Sequence, residues 1–167
     1  MPWLMQPSMT SKPLCLDTSY LVGFFDETDR WHTAAGEIYR LLSQRQIEVS
    51  YLDCVLNELF TVLARRCRDR RSPEVFSSLL DRVAREVPES AINWLYPRLP
   101  RWYNRCLGLM RETRGELNFH DALIVVAIQE LGFSALVSFD TGFDQVTTLK
   151  RLGSPAGVAA WLREQHP

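Results

Sequence analysis

Apolar and polar positions alternate along the chain in blocks that change period. Residues 13–17 form a short apolar run closed by an acid, the pattern of a buried strand whose last residue emerges at the sheet edge. Ser19 then stands as the cap of a short helix over 20–25. Ala34, Ala35, Ile38, Leu41 and Leu42 recur at helical spacing and predict a helix over 31–44. Residues 47–51 alternate and are rich in β-formers, predicting a second strand. Asp53 comes next as the cap of a helix running to about residue 68, with Leu52, Val55, Leu56, Leu59, Phe60, Val62 and Leu63 on one arc and Glu58 just outside it.

Ser72 and Pro73 open a further helix to about 86, and residues 88–100 are punctuated by proline and read as irregular. An arginine-studded helix is expected over 101–114. The strongest segment is 118–131, where Asn118 can cap, residues 122–128 are seven uninterrupted apolar positions, and Gly132 is a natural stop. Residues 135–139 read as a strand that again ends in an acid, Asp140. The remainder of the chain is weakly patterned up to a helix over 157–165. Strands alternating with helices give an α/β domain with a mostly parallel sheet.

Composition narrows the class. A chain of 167 residues with 46% hydrophobic positions, eight glycines and nine prolines fits one globular domain and excludes collagen-like or low-complexity chains. No apolar run reaches the ~20 residues needed to cross a bilayer, and the first 13 residues lack the charged and apolar regions of a secretory signal, so a cytoplasmic protein without membrane contact is expected. The four cysteines, Cys15, Cys54, Cys67 and Cys106, form no C-x-x-C pair and read as free buried thiols.

The formal charge of −1 hides a segregation. Residues 1–64 carry 4 basic and 8 acidic groups, residues 65–114 carry 12 and 6, and residues 115–167 carry 3 and 6. Nearly all the basic groups are arginines, whose planar fork suits phosphate, although a biased genome composition would give the same ratio.

Several acids sit against the hydrophobic pattern. Asp17 and Asp140 end apolar strands, and in open α/β sheets ligands bind at the carboxyl ends of strands. Asp121 lies on the stripe of Ile124, Val125 and Ile128, where a lone carboxylate is costly to desolvate; it is equally the third residue after Asn118, a position that favours an acid at a helix start. Glu58 alone is an ordinary edge residue, and Asp144 could cap a turn. Together, Asp17, Glu58, Asp121 and Asp140 form a hard oxygen set that calls for a divalent cation such as Mg²⁺ or Mn²⁺.

These residues resemble the motifs of the PIN-domain nucleases, most closely the small VapC-type toxins of toxin–antitoxin modules. The similarity rests on Leu16-Asp17-Thr18-Ser19-Tyr20-Leu21-Val22, on Asn57-Glu58-Leu59, on Leu117-Asn118-Phe119-His120-Asp121-Ala122-Leu123-Ile124, and on Leu136-Val137-Ser138-Phe139-Asp140-Thr141-Gly142-Phe143. It spans roughly residues 13–150. Gly142 occupies a place where an acid or other polar residue is common, which leaves Asp144 as the nearby fifth ligand.

The resemblance implies a three-layer fold with a five-stranded central sheet in a single domain over 13–167, after an N-terminal extension of residues 1–12. It also implies Mg²⁺- or Mn²⁺-dependent cleavage of RNA, a homodimer and a cognate antitoxin. Asp17, Glu58, Asp121 and Asp140 are then the catalytic set and, with Asp144, the metal ligands. Thr18 and Ser19 are candidates for ligand or phosphate contact, and Arg65, Arg66 and Arg68, with Arg70 and Arg71, begin an arginine track for RNA that resumes at Arg98, Arg101, Arg105, Arg111 and Arg114. His120 reads as a surface or capping residue, with substrate contact as the alternative, and Trp94, Trp102 and Tyr103 as core or dimer interface, with stacking on unpaired bases as the alternative. The competing readings are a catalytically silent RNA- or protein-binding module, a structure-specific DNA nuclease, and a phosphatase attacking through Asp17. The phosphatase usually needs an acid where this chain has Ser19.

Overall fold

The structure is a computed structural model that describes residues 12–165, so the extension expected for 1–12 lies outside the described residues but for Lys12. Among the described residues five parallel strands form the sheet: β1 Leu14–Leu16, β2 Val49–Leu52, β3 Ile92–Asn93, β4 Leu136–Val137 and β5 Arg151–Leu152, in the order β3-β2-β1-β4-β5. Seven α-helices accompany them there: α1 Thr18–Phe25, α2 His32–Gln44, α3 Asp53–Asp69, α4 Glu74–Glu86, α5 Leu99–Glu112, α6 Phe119–Leu131 and α7 Pro155–Gln165.

From β1 the chain steps outward to β2 and β3, then returns across β1 to place β4 and β5 on its other side. Right-handed crossovers with that reversal put the connecting helices on opposite faces. The packing agrees: α1 lies against α2 and α3, α3 against α4, α2 against α7, while α5 and α6 pack on each other. β1 and β2 are buried throughout, and β1 accordingly reads as an unbroken apolar run, whereas β2 keeps one polar position, the buried Ser50.

Helix α6 is the densest part of the core. Ala122 to Ile128 are all buried, Asn118 caps the start, and Gly132 ends the helix in the left-handed conformation that glycine adopts without a Cβ penalty.

Local assignments differ from the sequence reading in four places. Asp17, not Ser19, caps α1, because its carboxylate accepts from the Ser19 N–H. Asp53 is the first residue of α3 and not its cap, and its carboxylate accepts from the N–H groups of Cys54, Leu95 and Tyr96. Residues 88–100 are not wholly irregular but hold β3 between two short 3₁₀ turns. The segment after Asp140 contributes the edge strand β5. All four cysteines are free and buried, as their spacing suggested.

Candidate active site

The direction of strand addition reverses between β1 and β4, the kind of switch point where open α/β sheets leave a crevice beyond their carboxyl ends. Asp17 comes directly after β1, and Asp140 lies three residues beyond β4. A cavity of about 330 Å³ opens there, and Asp17, Glu58, Asp121 and Asp140 all line it. Thr18, Ser19, Asn118 and Arg65 share its wall.

Asp17 is buried, with 5% of its surface exposed. Its Oδ2 accepts from Ser19 Oγ at 2.6 Å, Ser138 Oγ at 2.7 Å and the Ser19 N–H at 3.2 Å. All three donors converge on this one oxygen, which anchors the carboxylate and leaves Oδ1 for a ligand. The two hydroxyls lie 3.1 Å apart and also receive the backbone N–H groups of Phe139 and Asp140, which ties the end of β1 to the end of β4. Burial still raises the Asp17 carboxyl above its ordinary range, despite these donors.

Asp121 serves both roles that its position allowed. Its carboxylate accepts from the Asn118 N–H at 3.1 Å in a capping box while facing the cavity. Burial, reinforced by the negative charges of Asp17 and Asp140, pushes its pKa up to about 6. Glu58 projects from α3 to accept from Thr18 Oγ1 at 2.7 Å. His120 Nε2 lies 3.0 Å from Glu58 Oε2, an ion-pair contact whose angle is too poor for a hydrogen bond. Contact with His120 lowers the Glu58 pKa in spite of partial burial; in return, Glu58, then Asp121 and Asp17, outweigh the effect of burial on His120 and raise its pKa.

Not every candidate gathers here. Asp144 sits in a 3₁₀ turn, exposed, and accepts two bonds from Arg151 at 2.7 Å outside the cavity. Arg66 reaches the wall but is held by Asp26 at 2.8 Å and Asp29 at 2.7 Å. Arg70 also grips Asp26, and Arg105 is paired with Glu130. Arg68 is exposed and does not line the cavity. Of the arginines near the acids, Arg65 is exposed on the cavity wall with no partner among the described residues.

Sequence reasoning misses Asp29 and Trp31, and places Ser138 in a motif without its bond to Asp17. Trp31 stacks on Phe139 at 4.7 Å and so braces the residue before Asp140. The His120–Glu58 contact is equally invisible along the chain, since it joins residues on different helices.

All four acids offer hard oxygen donors, and the like charges of Asp17 and Asp140 raise the proton affinity of Asp121; the set fits a divalent cation on chemical grounds. Among the described residues no three such side chains converge into a ready-made cage. Magnesium sites built from one or two carboxylates with water and substrate phosphate need none.

The family model of the PIN domain matches residues 14–149. The chain belongs to the PIN-domain family. Comparison with curated proteins gives no match. Among solved structures, this PIN domain is similar to VapC20 of Mycobacterium tuberculosis, a sarcin-ricin-loop-cleaving toxin, at 24% identity and a TM-score of 0.57, covering 78% of this chain and 92% of that one. It is similar to VapBC2 of Rickettsia felis, captured on a DNA fragment of its promoter, at 18% identity and a TM-score of 0.59, covering 83% and 96%. PAE2754 of Pyrobaculum aerophilum aligns at 18% identity and a TM-score of 0.59, covering 89% and 90%. At these identities the likeness establishes the PIN fold.

Proposed function

We propose that this PIN-domain protein is a metal-dependent endoribonuclease, the toxin of a toxin–antitoxin module. The observation that carries the reading is the meeting of Asp17, Glu58, Asp121 and Asp140 on one cavity at the switch point of the sheet. Substrate and partner come by analogy with VapC20 and VapBC2: RNA to cleave and a cognate antitoxin. Cytoplasmic action and a homodimer belong to the same reading.

Mg²⁺ or Mn²⁺ would be held by Asp17, Asp121 and Asp140, with Glu58 as a direct or water-bridged ligand. When bound, such an ion supplies a water of lowered pKa and positive charge against the phosphate. Ser19 and Ser138 keep Asp17 oriented so that Oδ1 faces the cavity. Thr18 fixes Glu58. His120 balances the Glu58 charge, and Arg65 receives a phosphate of the bound strand. Arg66 has a different task, since its guanidinium is already committed to Asp26 and Asp29.

The test is cleavage of labelled RNA and DNA oligonucleotides in Mg²⁺, Mn²⁺ or EDTA by wild type, Asp17→Asn and Asp121→Asn. RNA is expected to be cut with either metal and not in EDTA, and each substitution to slow cleavage at least about a hundredfold, the worth of several kcal/mol of metal-borne stabilisation. Cleavage in EDTA, or full activity in both variants, would overturn the site. Preferential cutting of DNA would overturn the substrate. Growth arrest on expression, relieved by a small neighbouring open reading frame, would support the toxin role.

A further inference from the structure

Trp94, Tyr96 and Tyr103 are each more than half exposed, the three most exposed large aromatic side chains of the described residues. Their placement results from strand register. Cys15 pairs with Ser50, and Leu52 with Asn93, so Asp17, Leu52 and Asn93 stand at one level of the sheet. Two inter-strand spacings, roughly 10 Å, separate the backbone of Asp17 from that of Asn93. Trp94 is the next residue, leaving β3 on the same edge of the sheet as the acidic cavity.

The loop that carries Trp94 and Tyr96 is held in place. The buried Asp53 carboxylate accepts from the Leu95 N–H at 2.8 Å and the Tyr96 N–H at 3.2 Å, and Leu95 is buried between the two outward rings. Tyr103, on the first turns of α5, packs against Phe119 at 5.9 Å, and Phe119 lies two residues before Asp121. The three rings therefore run from the edge strand toward the rim of the cavity. Arg98 and Arg101 lie between them in sequence, exposed and without an ion-pair partner among the described residues, on the wall of a neighbouring cavity that Trp102, Arg105 and Glu130 share.

Outward rings on a fixed loop and helix, with unpaired guanidinium groups on the same stretch of chain, suit a single-stranded nucleic acid. Each ring offers a face to an unpaired base, each arginine a fork to a phosphate, and stacking tolerates any base sequence. A purely apolar protein face would match the rings but would leave the cations unanswered.

We propose that Trp94, Tyr96 and Tyr103, with Arg98 and Arg101, form a stacking platform that leads an unpaired RNA segment across the sheet edge into the acidic cavity. This rests on the ribonuclease reading above and narrows its substrate to RNA whose bases are free to stack. Duplex RNA, with its bases paired and its grooves closed to such rings, is not held this way.

The platform is tested by fluorescence anisotropy of labelled single-stranded and duplex RNA with the full chain in EDTA, followed by cleavage in Mg²⁺. Trp94→Ala and Tyr103→Ala are each expected to weaken single-strand binding about tenfold, duplex binding to change less than about twofold, and Trp94→Phe to restore most of the loss. Unaltered melting temperatures in the alanine variants exclude loss through misfolding. Unchanged single-strand binding in both alanine variants, with wild type still cleaving RNA, would overturn the platform and leave the nuclease standing. A wild type that neither binds nor cuts RNA would overturn both. Alanine variants that bind RNA normally but lose a wild-type dimer in sedimentation would reassign the rings to a contact between copies.

Discussion

Asp17 shows how one side chain is prepared for chemistry by its neighbours. It is desolvated, yet two hydroxyls and an N–H all converge on one oxygen. Ser138 lies 121 positions away in sequence and is fully buried. Ser138→Ala is expected to destabilise the protein by about 1.5–3 kcal/mol in urea unfolding, the worth of a hydrogen bond to a charged group. It should also lower cleavage more than the lost stability alone accounts for, because Asp17 is then held by Ser19 alone; equal stability in the variant would sink this role. Asp17, Asp121 and Asp140 were legible in the sequence because each interrupts or ends an apolar run, which is a local signal. Most of their supports were not. Ser19 is local, two residues on, but the Ser138 hydroxyl and the imidazole beside Glu58 arrive from other elements, and no spacing along the chain shows which acid each one meets.

At the scale of elements, the turn between α1 and α2 is clamped to α3. Asp26 is buried and receives Arg66 and Arg70, while Asp29 shares Arg66. Burial acts to raise the Asp26 pKa, but Arg70, Arg66 and Thr28 outweigh it and hold the carboxyl well below its usual range. A depressed carboxyl stabilises the fold above the unfolded pKa of about 4, and that contribution is lost as pH falls through the folded value. Asp26→Asn should therefore cost about 1–3 kcal/mol at pH 7 and show a flatter loss of stability between about pH 4 and 2 than wild type. Urea denaturation at several pH values checks this, and parallel curves would refute it. The clamp matters to the cavity because the same turn carries Asp29 and Trp31. The helices were readable from 3.6-residue periodicity, β1 and β4 from apolar runs, and β2 from alternation among β-forming residues. β3 and β5 were not, since two-residue edge strands are too short to show any period.

At the scale of the molecule, the arginine-rich middle of the chain divides into two populations. Arg66, Arg70 and Arg105 are spent on acids of the protein itself, whereas Arg65, Arg98 and Arg101 face solvent without a described partner. Charge counted along the sequence could not separate them, because pairing is decided by the fold. Arg65→Ala is expected to reduce the salt dependence of RNA binding by about one phosphate contact while leaving stability unchanged. Arg66→Ala should do the reverse, lowering the melting temperature with little effect on the salt slope. Titration of binding from about 50 to about 300 mM salt, with thermal melts beside it, separates the two.

Strand order, too, lay beyond periodicity, and it has a bearing on when the protein can act. β1 is near the start of the chain, but its backbone is completed on one side by β4, where the Asp17 N–H reaches Val137. During synthesis Asp17 waits for more than a hundred further residues before Asp140 can stand beside it. No growing chain that stops short of Asp140 holds all four acids on one cavity, so a chemistry that needs the whole set is delayed until β4 has closed on β1.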